Sequence, residues 1–144
     1  MNYEIKELSE ELINESFFET CSNLRNIDKS IDDTKKLFSK MKNDSNSITL
    51  VVVENNNIVI WSISLLIEQK FLMWHAKWWH LEDVVVRKGH EWKWIWKAMV
   101  DEITKIAKDK WCEVIMLSFN SKYIKFYEKC GYKINSNSMK LVIK

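Results

Sequence analysis

From Leu81 to Lys97 the chain passes from a β-branched stretch, Val84-Val85-Val86, through Arg87-Lys88-Gly89-His90 and into a segment of helical apolar spacing. The pattern reads as a strand, a short loop and the first turn of a helix, the place where α/β proteins hold phosphates against free backbone N–H groups. A phosphate loop needs glycine, because the backbone must approach the ligand closely and can require φ > 0. Here the loop carries Trp92, Trp94 and Trp96 at alternating positions. The loop has the right place in the chain and the wrong residues for the task.

The flanking patterns extend this unit in both directions. Residues 3–7 alternate and predict a short first strand, and Ser9 is placed to cap a helix reaching about Arg25 with Ile13, Phe17, Cys21 and Leu24 on one face. Ser30 with Asp33 three residues on forms a capping-box pattern for a second helix, whose buried stripe is predicted as Thr34, Leu37, Phe38 and Met41. Ile48 to Glu54 and Ile58 to Ile67 are β-branched runs on either side of Asn55-Asn56-Asn57, which predicts an antiparallel hairpin because Asn tolerates the left-handed conformation. Phe71 to Trp78 reads as an irregular connection into a strand from His80 to Val86. Trp96, Met99, Val100, Ile103 and Ile106 give the next helix its buried face, with Asp101, Lys105 and Asp109 as i,i+4 pairs outside it. Cys112 to Leu117 follows as a strand, Lys122 to Cys130 as a short helix stopped by Gly131, and Tyr132 to Ile143 as a last strand or hairpin. The predicted class is α/β in the α+β sense, a mixed central sheet with helices on both faces, and residues 1–144 make one domain.

Composition narrows the function classes. With 22 basic and 20 acidic residues the net charge of +2 exerts no strong pull toward nucleic acid or an anionic membrane. No apolar run approaches the roughly 18 residues of a membrane span. Cys21, Cys112 and Cys130 are too widely spaced for metal ligation and suit reduced thiols in the cytoplasm. His75 and His80 are too isolated for a metal site, so none is expected. Only two Gly stand against eight Trp, whereas Gly at the usual share of about 7% would number roughly ten. Two plus eight is ten.

Two blocks, His80-Leu81-Glu82-Asp83-Val84-Val85-Val86 and Ile124-Lys125-Phe126-Tyr127-Glu128-Lys129-Cys130-Gly131-Tyr132, resemble the GNAT superfamily of N-acetyltransferases, and within it the branch acting on glucosamine 6-phosphate. Ile67 to Phe71 also resembles that branch's hairpin strand, and the element order fits nearly the whole chain. The family loop follows Q/R-x-x-G-x-G/A. Here Glu91-Trp92-Lys93-Trp94-Ile95-Trp96-Lys97 stands at those positions, with a Trp for each Gly and Glu91 for the Gln or Arg. Trp61, Trp79 and Trp111 also fall where such sequences usually carry Gly, and Trp74 and Trp78 fall where a turn would make Gly ordinary. Two explanations stand open: genuine tryptophans, or UGA codons that the source reads as glycine.

The resemblance implies acetyl-CoA as cosubstrate and a small-molecule amine as acceptor, in a cytoplasmic enzyme that is a homodimer, with the C-terminal strand as the candidate for exchange between copies. It implies that Val84, Val85 and Val86 offer backbone to the pantetheine arm, that residues 91–97 (Glu91, Trp92, Lys93, Trp94, Ile95, Trp96, Lys97) surround the pyrophosphate, and that Tyr123 and Phe126 flank the cofactor. Tyr127 corresponds to the tyrosine that protonates or stabilises the leaving thiolate. Glu82, Asp83 and Ser118 lie at the acceptor, Glu82 or neighbouring backbone taking the amine proton directly or through water. As neighbours on a strand, Glu82 and Asp83 are expected to point to opposite faces. Ser118 departs from the acid, and Tyr123 from the Asn, usual at those positions. A non-catalytic protein of the same fold, using its aromatic loop to bind a partner, is the alternative, as is a GNAT enzyme of another amine specificity.

Overall fold

The computed structural model describes residues 3–44, 46–55, 57–73, 76–91, 93–135 and 140–143. Five strands form one sheet in chain order: β1 (Tyr3–Glu7), β2 (Ser47–Glu54), β3 (Ile58–Gln69), β4 (Lys77–Val86) and β5 (Cys112–Leu117). Successive pairs from β1 to β4 are antiparallel, while β4 and β5 are parallel. The parallel pair follows from the crossover helix α3 (Lys93–Asp109), since a strand–helix–strand unit returns the chain in its original direction. The predicted mixed sheet is therefore present.

Both faces of the sheet are covered, and β2 shows how. Leu50 and Val52 join the core under α3, with Ile95, Met99, Ile103 and Ala107 of the helix. Val51 and Val53, one residue out of phase, join Leu8, Leu12, Ile13 and Phe17 on the other face. A strand buried on both sides reads as a continuous β-branched run rather than an alternating one, as Leu50-Val51-Val52-Val53 does. Asn55 (φ 27°) and Asn57 (φ 68°) take the positive φ predicted for the hairpin turn; Asn56 lies outside the described residues.

Several expectations are corrected. The first helix does not run from Ser9, whose side chain makes no cap; a 3₁₀ turn at Glu10–Leu12 breaks at Ile13 and α1 (Glu15–Cys21) starts afresh. The restart is set by Asn14, whose Oδ1 accepts from the Phe17 N–H at 3.2 Å, and by Ile13, which is buried at 1% exposure. Ser30 does cap α2 (Ile31–Asn43), accepting from the Asp33 N–H at 3.1 Å. However, Leu37 and Met41 of its predicted stripe are exposed, because α2 meets the core through Ile31 and Phe38 alone. β4 begins at Lys77, inside the stretch expected to be irregular, since Lys77 to Trp79 already pair with Gln69 to Ile67 of β3. Trp78 thus stands in a strand and not in a turn; Trp74 and His75 lie outside the described residues. On α3 the ion pairs are Lys97–Asp101 and Glu102–Lys105 instead of a ladder through Asp109. Of the expected last strand, residues 136–139 lie outside the described residues; residues 132–135 and 140–143 form no strand, and Ile134, Leu141, Val142 and Ile143 are exposed.

Candidate active site

The register of β3 against β4 changes between Ser62↔Val85 and Ser64↔Glu82, so one residue on β3, Ile63, faces two on β4, Asp83 and Val84. The extra residue is a β-bulge at Asp83, whose φ of 49° breaks the pleat. Before the bulge Trp79 and Leu81 point under α3; after it Val84 and Val86 do, while Val85 is also buried but joins neither core cluster. A one-residue insertion exchanges the faces of everything beyond it. The expectation that Glu82 and Asp83 point to opposite faces rested on unbroken alternation, which the bulge removes.

The bulge also marks where β4 and β5 part. Their parallel pairing runs from Lys77↔Cys112 to Leu81↔Leu117 and stops there. Glu82 and Ser118 are the next residues on either side of the fork, the first half-buried and the second exposed. Beyond them, among the described residues, the edge of β4 facing away from β3 has no strand beside it. Arg87 N–H donates to Ile60 O of β3 at 2.8 Å, so the peptide groups of Val86 point the other way, into the fork. Val86 O is met there by Asn23 Nδ2 at 3.0 Å. Asn23, in the turn after α1, is a site residue that nothing in the sequence pattern announced.

The other wall of the fork comes from the segment after β5. Asn120 caps a 3₁₀ turn, Ser121–Tyr123, that leads into α4 (Ile124–Lys129), and Gly131 (φ 90°) ends it as predicted. Tyr127 is 6% exposed and ringed by aromatics, with centroids 5.8 Å from Phe119, 5.3 Å from Phe126 and 5.7 Å from Tyr132. Burial pushes its hydroxyl up to about 12. Phe119 was also missed by sequence reasoning, although it stands only two residues beyond the β5 run.

Trp96, in the first turn of α3, fills the space between these walls. Its ring centroid is 5.0 Å from Tyr123, 4.9 Å from Phe126 and 5.8 Å from both Tyr127 and Trp61. The structure therefore brings Trp96, Tyr123, Phe126 and Tyr127 to one place, while Val84 and Val86 pack, as Trp96 also does, against the core under α3. Other expected residues of the loop and the start of α3 go elsewhere. Trp94 is half exposed and lies against Tyr3, 4.8 Å between centroids, toward the far edge of the sheet. The Ile95 side chain is wholly in the core, leaving only its backbone for a ligand. Lys97 turns outward onto Asp101 at 2.6 Å, and that hydrogen bond raises its pKa. Trp92 and the Lys93 side chain lie outside what is described.

The loop before α3 is tied down at several points. His90 Nε2 meets Glu54 Oε1 at 3.0 Å, His90 O accepts from Trp61 Nε1 at 2.9 Å, and Arg87 Nη2 pairs with Glu19. Glu91 Oε1 accepts from the Gly89 N–H at 3.1 Å, and backbone N–H donors, its own foremost, hold the carboxyl below its usual range. A loop amide is thus already engaged by an anion of the chain itself. Two cavities lie away from the fork, one of about 640 Å³ between α1 and α2 and one of about 300 Å³ beside Trp79 and Trp111. Among the described residues no cluster of three His, Cys, Asp or Glu could hold a metal ion, and no helix is long and apolar enough to cross a membrane.

Residues 10–132 match the family model described as Acetyltransferase (GNAT) family. The probable glucosamine 6-phosphate N-acetyltransferase of Drosophila melanogaster is 37% identical over 106 residues, 71% of this chain and 48% of the relative. The glucosamine 6-phosphate N-acetyltransferase of Schizosaccharomyces pombe is 35% identical over 94 residues, 63% of this chain and 85% of the relative. The chain spans about half the length of several curated relatives that it matches. The crystal structure of glucosamine-6-phosphate N-acetyltransferase from Arabidopsis thaliana superposes with a TM-score of 0.92 over 100% of both chains at 24% identity.

Proposed function

Because the chain belongs to the acetyltransferase (GNAT) family, we propose that it transfers the acetyl group of acetyl-CoA to the amine of a small acceptor, with glucosamine 6-phosphate as the first candidate. The acceptor is taken from the names of the relatives. The observation that carries the reading is the fork: a β4 edge open beyond Leu81, facing a buried tyrosine on α4. An extended pantetheine arm can add to such an edge as a peptide strand does, using backbone groups of Val84 and Val86. Acetyl-CoA supplies the thioester carbonyl; the chain supplies position and proton handling.

In the proposed reaction the acceptor amine, deprotonated, attacks the carbonyl carbon, a C–N bond forms and the C–S bond breaks. Glu82, half-buried at the fork, receives the amine proton directly or through water. Tyr127 faces the departing sulfur. At about 12 its hydroxyl is a weaker acid than a thiol of ordinary pKa near ~8.5, so complete proton transfer to the thiolate is uphill. The group is better matched to donating a hydrogen bond to the developing thiolate than to surrendering its proton.

One observation favours a second reading, the non-catalytic one. Trp96 occupies the space between α3 and α4, and Trp94 presents an exposed ring suited to a protein contact. The two separate in one experiment: calorimetry with acetyl-CoA on the chain and on its Trp92→Gly, Trp94→Gly, Trp96→Gly form, followed by CoA release with glucosamine 6-phosphate, glucosamine and amino acids. The acetyltransferase reading expects binding by the glycine form and turnover with at least one amine. Absence of both in a folded glycine form refutes it. A homodimer in the cytoplasm completes the proposal, supported by the exposed apolar residues Leu141, Val142 and Ile143; a monomer by light scattering would count against it.

A further inference from the structure

We propose that glycine occupies positions 61, 74, 78, 79, 92, 94, 96 and 111 in the protein as its source makes it, through UGA codons that the source reads as glycine. The backbone at position 111 is the first support. Among the described residues φ is positive at Gly89, Gly131, Asn55, Asn57, Asp83 and Trp111. The first five are the residue types that tolerate the left-handed region; a bulky aromatic residue does not. Trp111 has φ 59°, follows the last turn of α3, donates its N–H to Lys108 O at 3.1 Å and leaves its side chain 85% exposed. That is the helix C-terminal position where glycine is most enriched, and the indole gains nothing there.

Buried polar atoms give independent support. Of five buried side-chain nitrogen or oxygen atoms without a hydrogen-bond partner among the described residues, three are the indole N–H groups of Trp78, Trp79 and Trp96. Trp96 has the Tyr127 hydroxyl within reach, so Trp78 and Trp79 carry the point: native structures pair such donors with few exceptions, and two failures in one residue type point to that residue type. Trp96 stands in the fork itself, among Trp61, Tyr123, Phe126 and Tyr127. Trp61 does not discriminate, since it is buried and its N–H reaches His90 O. Position 78 is a strand position, where glycine has no local advantage, so its assignment rests on the unpartnered N–H.

The inference bears on the acetyltransferase reading, since glycine at 96 clears the fork and glycine at 92 and 94 frees the loop backbone, but its test does not depend on that reading. The eight codons are read in the source genome, and peptides of the protein purified from that source are sequenced by mass spectrometry. UGA at all eight positions with glycine in the peptides is expected. UGG at any of the eight positions overturns the proposal, as does tryptophan in the peptides whatever the codon. If glycine is found and the eight-glycine chain folds, yet acetylates no amine in the acceptor screen, the glycine assignment stands and the acetyltransferase reading falls.

Discussion

Replacing Trp111 by glycine should stabilise the protein, although it removes the largest side chain from a structure rich in aromatic packing. The residue is held at φ 59° with its ring 85% exposed, so its removal surrenders little buried area. Relief of the left-handed conformation is worth about 1–2 kcal/mol for a residue with a β-carbon. Against that, glycine adds freedom to the unfolded chain at a cost of about 0.4–1 kcal/mol. The balance is a gain of about 0.5–1 kcal/mol, which for a domain near 150 residues raises Tm by roughly 2–3 °C. Trp111→Ala is the control: it removes the same ring but keeps the β-carbon, and should stay within about 0.5 kcal/mol of the parent. Thermal melts and urea titrations of the three proteins supply the comparison, the midpoint rising for the glycine variant with the slope unchanged. A glycine variant no more stable than the alanine variant would refute the strain argument. It would mean that the ring's place beside the 300 Å³ cavity outweighs its backbone cost.

In the glycine-loop form, Tyr127→Phe should lower kcat about 10²-fold or more with little change in acetyl-CoA affinity, because the hydroxyl acts mainly in the transition state; turnover within about threefold of the parent would remove it from the mechanism. Burial pushes both Tyr127 and Tyr132 up to about 12. The folded chain therefore keeps two protons that the unfolded chain loses above about pH 10, and this contribution to stability, complete below pH 10, is lost as pH rises toward 12. Melts from pH 9 to 12 should show the decline, and Tyr132→Phe should flatten it; identical pH dependence in the variant would contradict the assignment. Asn23→Ala removes the donor to Val86 O and should cost about 1 kcal/mol, measured by urea titration; an unchanged midpoint would show that this contact does not hold the β4 edge.

What the amino-acid order determined by itself is what depends on residues close together in the chain. The cap of Ser30 on the Asp33 N–H, the turn at Asn55 and Asn57, the left-handed stop at Gly131 and the helical face of Met99, Val100 and Ile103 were all legible, because each rests on a local conformational preference or a 3.6-residue period. The β-branched run Ile48 to Glu54 was legible as a strand, and its burial on both faces at Leu50 to Val53 emerged with the structure. Tertiary structure alone decided whether a period is used. Leu37 and Met41 have the spacing of a buried stripe and are exposed, while Ile31 and Phe38 of the same helix pack on the core. The apolar tail Leu141-Val142-Ile143 has strand composition, yet it is exposed and joins no strand of the sheet among the described residues. The fork was equally invisible. It arises because β4 carries one more residue than β3 at Asp83, and because β5 ends at Leu117, and both are relations between strands distant in sequence. A bulge is a mismatch of count between partners, so neither strand states it alone; the faces of Val84 to Val86, the approach of Asn23 and the opening beside Tyr127 follow only when the strands are paired.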